Sequence, residues 1–262
     1  MSSDKPRAAA CLTLAALCAA WGFLFLPEIL LRLSVRAGGG LLVRYCANAA
    51  QQVFIFLLPS LLILAARAGR WRRFRSTLRP VAFSTFSCAF LLAAGGAVMV
   101  SLIASLWSAL LEAATGYAGA SQPLPVPTGP YEWAIALAAV AVVPAICEEL
   151  FFRAVIQRAL CRFFPRAGVW MAALVFAVLH FRWEAFPALL LVGAALGLIF
   201  VRYGFRACAL THALYNGAAL ILYAGAESVS LPMLAACCAA CASALWLLLG
   251  KEQADETDRS GL

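Results

Sequence analysis

Charge is what this sequence has least of. Only 12% of its 262 residues are Asp, Glu, Lys or Arg, about half the share carried by soluble domains. A chain so short of surface charge cannot present its whole outside to water. Histidine is rarer still: His180 and His212 are the only two, so any imidazole chemistry rests on them. Lysine is confined to Lys5 and Lys251. Polar stretches long enough to form a soluble domain are missing. Apolar residues fill the space instead, at 65% of the chain. The solvent for the surface is therefore lipid. At roughly 20 apolar residues per crossing, the length admits at most about ten to twelve spans.

The formal net charge of +8 does not indicate nucleic acid, because the basic residues lack the interleaved aromatics that stack on bases. Most of the ten cysteines, Cys88, Cys147 and Cys208 among them, lie inside apolar runs, where Cys packs as a small hydrophobe. Cys238 with Cys241 has no second pair to complete a zinc site. The C-terminal residues carry no prenylation motif. The first apolar run is too long for a signal-peptide core and is expected to be a span.

Eight apolar segments stand out, at about 8–31, 46–66, 80–111, 131–152, 167–181, 185–201, 207–224 and 231–249. The expected fold class is all-α, a polytopic membrane protein of about eight transmembrane helices with a buried polar site. Three parts follow: 1–130 with three N-terminal transmembrane helices and loops, 131–224 as the core that carries the buried polar residues, and 225–262 with the last transmembrane helix and a polar cytoplasmic tail. With the N-terminus in the cytoplasm, sixteen of the 20 basic residues fall on that side, as the positive-inside rule requires. Arg32, Arg36, Arg44 and Arg182 disagree. Both termini are thus expected in the cytoplasm, in a cell membrane, and the Ala- and Arg-rich composition suggests a bacterial source. Residues 153–166 alternate arginines with apolar side chains and suit a short helix lying on the cytoplasmic surface.

A charge inside a span costs about 2.5–3.5 kcal/mol on insertion scales, so it marks function. Glu148-Glu149-Leu150-Phe151-Phe152-Arg153 ends the fourth segment. The i,i+4 spacing of Glu149 and Arg153 predicts an ion pair. Glu148 lies about 100° round the helix and is free to face a cavity. Pro144, one turn earlier, predicts a kink. His180 follows Phe176 by four residues and His212 precedes Asn216 by four, so each pair shares a helix face. Alone, either His reads as buried polar glue between helices. Gathered from three helices, the set has hydrolytic equipment. A carboxylate and an imidazole can deprotonate water, while a second imidazole and an amide can donate to an oxyanion. Glu148, His180 and His212 could instead hold a divalent metal such as zinc, whose bound water attacks. Gly193-x-x-x-Gly197 reads as a close-packing helix face. Measured at 1.5 Å per residue from Arg153, Arg206 and Arg166, Glu148 and His212 lie about 8–9 Å deep and His180 about 21 Å. These depths do not agree.

The motifs Glu148-Glu149-x-x-x-Arg153, Phe176-x-x-x-His180 and His212-x-x-x-Asn216, with the stretch linking Gly197 to His212, resemble the CAAX-protease and bacteriocin-processing family. That family includes the prenyl-protein endopeptidase and the bacterial Abi-type proteins, and the similarity covers about 131–220. The resemblance implies an intramembrane endopeptidase, long called a metalloprotease. On the topology read above, its site is expected to open toward the cytoplasm. Its substrate would be a membrane-associated peptide or protein cut near its end. Carried over by the motifs, Glu148 and His180 activate water, His212 and Asn216 form the oxyanion hole, and Glu149, Arg153 and Phe176 support them. The alternative of another class is a non-catalytic membrane scaffold or bacteriocin-immunity-type protein of the same fold.

Overall fold

The computed structural model describes residues 4–36, 40–66, 68–119, 125–225, 232 and 234–244. Among the described residues every regular element is a helix, the form in which a segment satisfies its own backbone groups in lipid. They are α1 (Asp4–Arg36), α2 (Leu41–Ala65), α3 (Ala68–Arg75), α4 (Phe83–Thr115), α5 (Pro130–Phe163), α6 (Gly168–Leu179), α7 (Trp183–Tyr203), α8 (Phe205–Gly225) and α9 (Leu234–Ala244). Five of them, α2, α4, α5, α7 and α8, are long and apolar enough to cross a membrane. Shorter apolar helices lie at Pro6–Ala20 within α1 and at α6 and α9. The eight apolar segments of the sequence each fall on one of these helices, and the polytopic all-α architecture holds. The end of the eighth segment and the polar tail lie outside the described residues. The arginine-rich connection after α2 contains α3, a helix that hydropathy alone does not mark.

One boundary differs from the sequence reading, and it moves the site. The fourth segment does not stop near Arg153 with a surface helix after it. Instead α5 runs unbroken to Phe163, and Arg153, Ala154, Val155, Ile156, Gln157, Ala159 and Leu160 are all buried in the bundle. Arg153 is tolerated there because its charge meets protein groups rather than lipid. With the boundary at Phe163, Glu148 lies about 22 Å along α5, and His180 lies about 18 Å along α6 from Gly168. Glu148 and His180 then agree in depth, while His212, about 9 Å along α8 from Arg206, stays shallower by this measure.

Proline shapes α5. A helix carrying Pro144 has no N–H to return to the carbonyl one turn back. The chain answers with a wide i→i+5 turn over Leu137–Val142, directly ahead of the proline. A second wide turn covers Leu150–Gln157, directly after Glu149. Such bulges concentrate at functional sites. Helix α2 repeats the device, with a wide turn at Val53–Leu57 before Pro59.

The core between these helices is aromatic. Phe56 of α2 rests on Phe151 and Phe152 of α5 at ring distances of 5.2 and 5.4 Å. Phe152 meets Phe176 of α6 edge-on at 5.0 Å. Helix α6 spans only about 18 Å, and its buried face, with Ala172, Ala173, Phe176 and Ala177, is held against α7. Gly193 and Gly197 make that approach possible. A Cβ on Gly193 would stand 3.1 Å from Ala173 Cα, and one on Gly197 would stand 2.9 Å from Val169 Cγ1. The small-residue pattern is thus a packing face. Gly204 ends α7 in the left-handed region, at φ 85°. Its bare Cα leaves room for the Thr77 carbonyl, which accepts the Phe205 N–H at 2.9 Å.

Candidate active site

Three helices bring Glu148, His180 and His212 together in the middle of the bundle. Glu148 stands on α5 one turn after Pro144. His180 caps the C-terminal end of α6, and His212 faces inward from α8. Glu148 Oε2 lies 3.6 Å from His180 Nε2 and 4.0 Å from His212 Nε2. It is buried and makes no hydrogen bond among the described residues. An orphaned carboxylate oxygen between two imidazoles is costly unless the site uses it.

Both rings are aimed by their other nitrogen. His180 Nδ1 is 2.6 Å from the Phe176 carbonyl. A carbonyl only accepts, so this nitrogen carries the proton and Nε2 of the neutral ring turns a lone pair toward Glu148. His212 Nδ1 is 2.9 Å from Glu149 Oε1; an ionised carboxylate only accepts, so this nitrogen carries a proton and the ring is held with Nε2 toward Glu148. The two glutamates therefore have separate surroundings. Glu148 faces the cavity; Glu149 is enclosed.

Glu149 is the centre of a buried polar ladder. Its Oε2 accepts Arg153 Nε at 2.7 Å, both side chains being fully buried. Arg153 Nη1 reaches Gln157 Oε1 at 3.4 Å, and Gln157 Nε2 donates to the Gly197 carbonyl at 3.0 Å. The Cys208 thiol lies 2.8 Å from Glu149 Oε2 and 3.1 Å from the Leu196 carbonyl. Arg153 also lies over the Phe176 ring, 5.4 Å from its centre. That ring carries the two histidines as well, at 4.3 Å from His180 and 6.1 Å from His212. Phe176 thus supports the site through its ring and its carbonyl.

Asn216 hydrogen-bonds to the backbone of α5 rather than to a side chain of this cluster. It lies one turn beyond His212, and its Nδ2 donates to the Val140 carbonyl at 3.3 Å. Val140 precedes Pro144 by four residues, so its carbonyl is the one that the proline leaves without a donor. The neighbouring Ala139 carbonyl, freed by the wide turn, accepts Asn48 Nδ2 from α2 at 3.0 Å. Two asparagines thus hold the deformed turn that leads into Glu148.

Sequence reasoning missed Asn48, Gln157 and Cys208. Each carried a signal. Asn48 is a polar residue at the start of an apolar span, Gln157 continues the four-residue row from Glu149 and Arg153, and Cys208 lies one turn before His212.

His180 is the partly exposed member, with 24% of its side chain accessible. It sits where α6 turns into α7, at the opposite end of α6 from the arginine-bearing turn 164–167. Phe181 follows it with a positive φ of 52°, a conformation that costs a non-glycine residue about 1–2 kcal/mol. Across that turn Arg182 pairs with Glu184 at 3.0 Å. A Cβ on Gly119 would stand 3.4 Å from the Glu184 side chain, which sets this turn beside the loop after α4. The exposed edge thus lies at the arginine-poor end.

A divalent ion would take its donors from Glu148, His180 and His212. Among the described residues no group of three His, Cys, Asp or Glu side chains stands at ligand spacing.

Residues 130–218, about a third of the chain, match the family described as type II CAAX prenyl endopeptidase, Rce1-like. The matched stretch contains all three motifs. No curated protein and no solved structure matches the chain.

Proposed function

On the premise that residues 130–218 make this chain Rce1-like, of the type II CAAX prenyl endopeptidases, we propose that it is an intramembrane endopeptidase. It hydrolyses a peptide bond near the end of a membrane-associated peptide or protein. The observation that carries this is the buried, unpartnered Glu148 Oε2 set 3.6 and 4.0 Å from two imidazole nitrogens.

The reaction follows from these groups. A water held by Glu148 and His180 Nε2 loses a proton to Glu148 as its oxygen attacks the scissile carbonyl carbon. His212 Nε2–H and the second N–H of Asn216 donate to the oxygen that becomes negative. Glu148 then returns the proton to the amide nitrogen, the C–N bond breaks, and the new carboxylic acid passes its proton to the amine, so that a carboxylate and an ammonium leave.

Charge balance favours His212 as the donor. Glu148 and Glu149 carry two negative charges against one on Arg153, so a proton on His212 leaves the buried cluster neutral. Neutrality matters where burial penalises unpaired charge. Phe176 and Glu149 aim the two rings, Arg153 keeps Glu149 in place, and Pro144 with its asparagine partners sets the height of Glu148.

The test is cleavage by the purified protein in liposomes. Tail-bearing peptides, with and without a lipid anchor, are incubated and the products weighed by mass spectrometry. One new carboxylate terminus is expected, and loss by about 10²–10⁴ in rate for Glu148→Gln. A chain that cuts none of the peptides, yet serves its host equally well as Glu148→Gln, is a scaffold and not an enzyme.

A further inference from the structure

Away from the proposed active site, four arginines from two elements line one small cavity. Arg70 and Arg73 come from α3, and Arg158 and Arg162 from the last two turns of α5. Its volume is about 30 Å³, enough for one or two oxygen atoms. Its floor is apolar, formed in part by Ile63 and Leu64 of α2. Arg70, Arg158 and Arg162 are half-buried and Arg73 is exposed. Arg70 donates to the Ile63 carbonyl at 3.1 Å, which fixes its guanidinium at the rim. Arg158 feels the like charges of Arg73 and Arg162. Among the described residues none of the four is in an ion pair.

The positive-inside tendency explains why arginines gather at this end of the bundle. It does not explain why Arg158 and Arg162, on a helix whose neighbouring residues are buried, converge with α3 on a shared hollow. Like charges held this close repel, and an oxygen-rich anion would reverse the sign of the interaction. Guanidiniums match phosphate oxygens by their planar fork of donors. We infer that this cavity binds a phosphate group, with two oxygens directed into the hollow between Arg73, Arg158 and Arg162. An anionic phospholipid headgroup and free phosphate share that chemistry. Basic pockets between helices at a membrane surface are the setting in which lipid headgroups bind. The bound group would bridge α3 to α5, the helix that carries Glu148, and would cancel the repulsion between them.

The full chain in lipid nanodiscs tests this. Discs of phosphatidylcholine alone are compared with discs of phosphatidylcholine and phosphatidylglycerol, and inorganic phosphate is added separately to the neutral discs. The native protein should melt higher with phosphatidylglycerol and retain it in native mass spectrometry. Arg73→Gln with Arg158→Gln should weaken retention about thirtyfold, the effect of two arginine–phosphate contacts. The same double variant should melt higher than the native chain in neutral discs, because relief of repulsion needs no ligand. That rise also shows that the variant folds. Arg166→Gln, an exposed neighbour outside the cavity, should change neither reading. A rise in melting with inorganic phosphate, together with displacement of the lipid, assigns the site to any phosphate. A response to phosphatidylglycerol alone assigns it to the headgroup. Equal retention by the double variant, or no response of the native chain to either phosphate source, overturns the inference.

Discussion

His212 Nδ1 lies 2.9 Å from Glu149 Oε1, on the carboxylate whose other oxygen holds Arg153 at 2.7 Å. The second glutamate of the motif therefore does two things. It neutralises a buried arginine and it orients an imidazole of the site. The two roles separate by mutation. Glu149→Gln or Arg153→Met alone should each cost about 3–5 kcal/mol of stability, because each leaves one buried charge unpaired. Together they should recover much of that loss, as paired apolar or neutral replacements do. Cleavage should not recover, since His212 still lacks its carboxylate. Thermal melting and peptide cleavage on the three variants check this; full recovery of cleavage in the double variant would reduce Glu149 to a partner of Arg153.

Asn48 and Asn216 hold the carbonyls of Ala139 and Val140 that the wide turn and Pro144 set free. Replacing either by Leu should cost about 1–3 kcal/mol, the penalty of an unsatisfied buried acceptor. Pro144→Ala restores an N–H to the helix and should shrink the cost of Asn216→Leu. A double-mutant cycle on melting temperature measures that coupling. In cleavage assays Asn216→Leu should lose more than Asn48→Leu, because only Asn216 also faces the developing oxyanion in the proposed reaction. Equal losses would make both residues supports of the turn.

The donors available to an ion are Glu148, His180 and His212, and the reaction above uses the first two on water and His212 on the oxyanion, with no ion. Dialysis against a chelator should then leave cleavage within about twofold, a change of about 0.4 kcal/mol in the barrier. Elemental analysis before and after dialysis accompanies the assay. A loss restored by added zinc in proportion to bound metal would make the same three side chains ligands.

The sequence showed what is local. The i,i+4 rows that place Glu149 over Arg153, Phe176 over His180 and His212 over Asn216 are set by helix geometry alone, and among the described residues the apolar runs located every helix except α3. Its boundaries failed where tertiary partners overruled hydropathy. Arg153 looked like the edge of the bilayer because a lone charge in lipid is expensive, yet its charge is met by Glu149, Gln157 and the Phe176 ring. The contacts between helices were not readable. His212 on Glu149, Cys208 beside both, and Asn48 on Ala139 join residues far apart in the chain, with separations of 63, 59 and 91 residues. No single-sequence period reports them.

The central claim is that Glu148 and His180 act on one water as a unit. Single-turnover cleavage in liposomes by Glu148→Gln, His180→Ala and the double variant measures it, with melting curves to confirm that each folds. Each single change should slow the reaction by about 10²–10⁴, and the double variant should be no slower than the worse single one, as happens when residues share one step. Multiplying losses, or undiminished cleavage in either single variant, would contradict it.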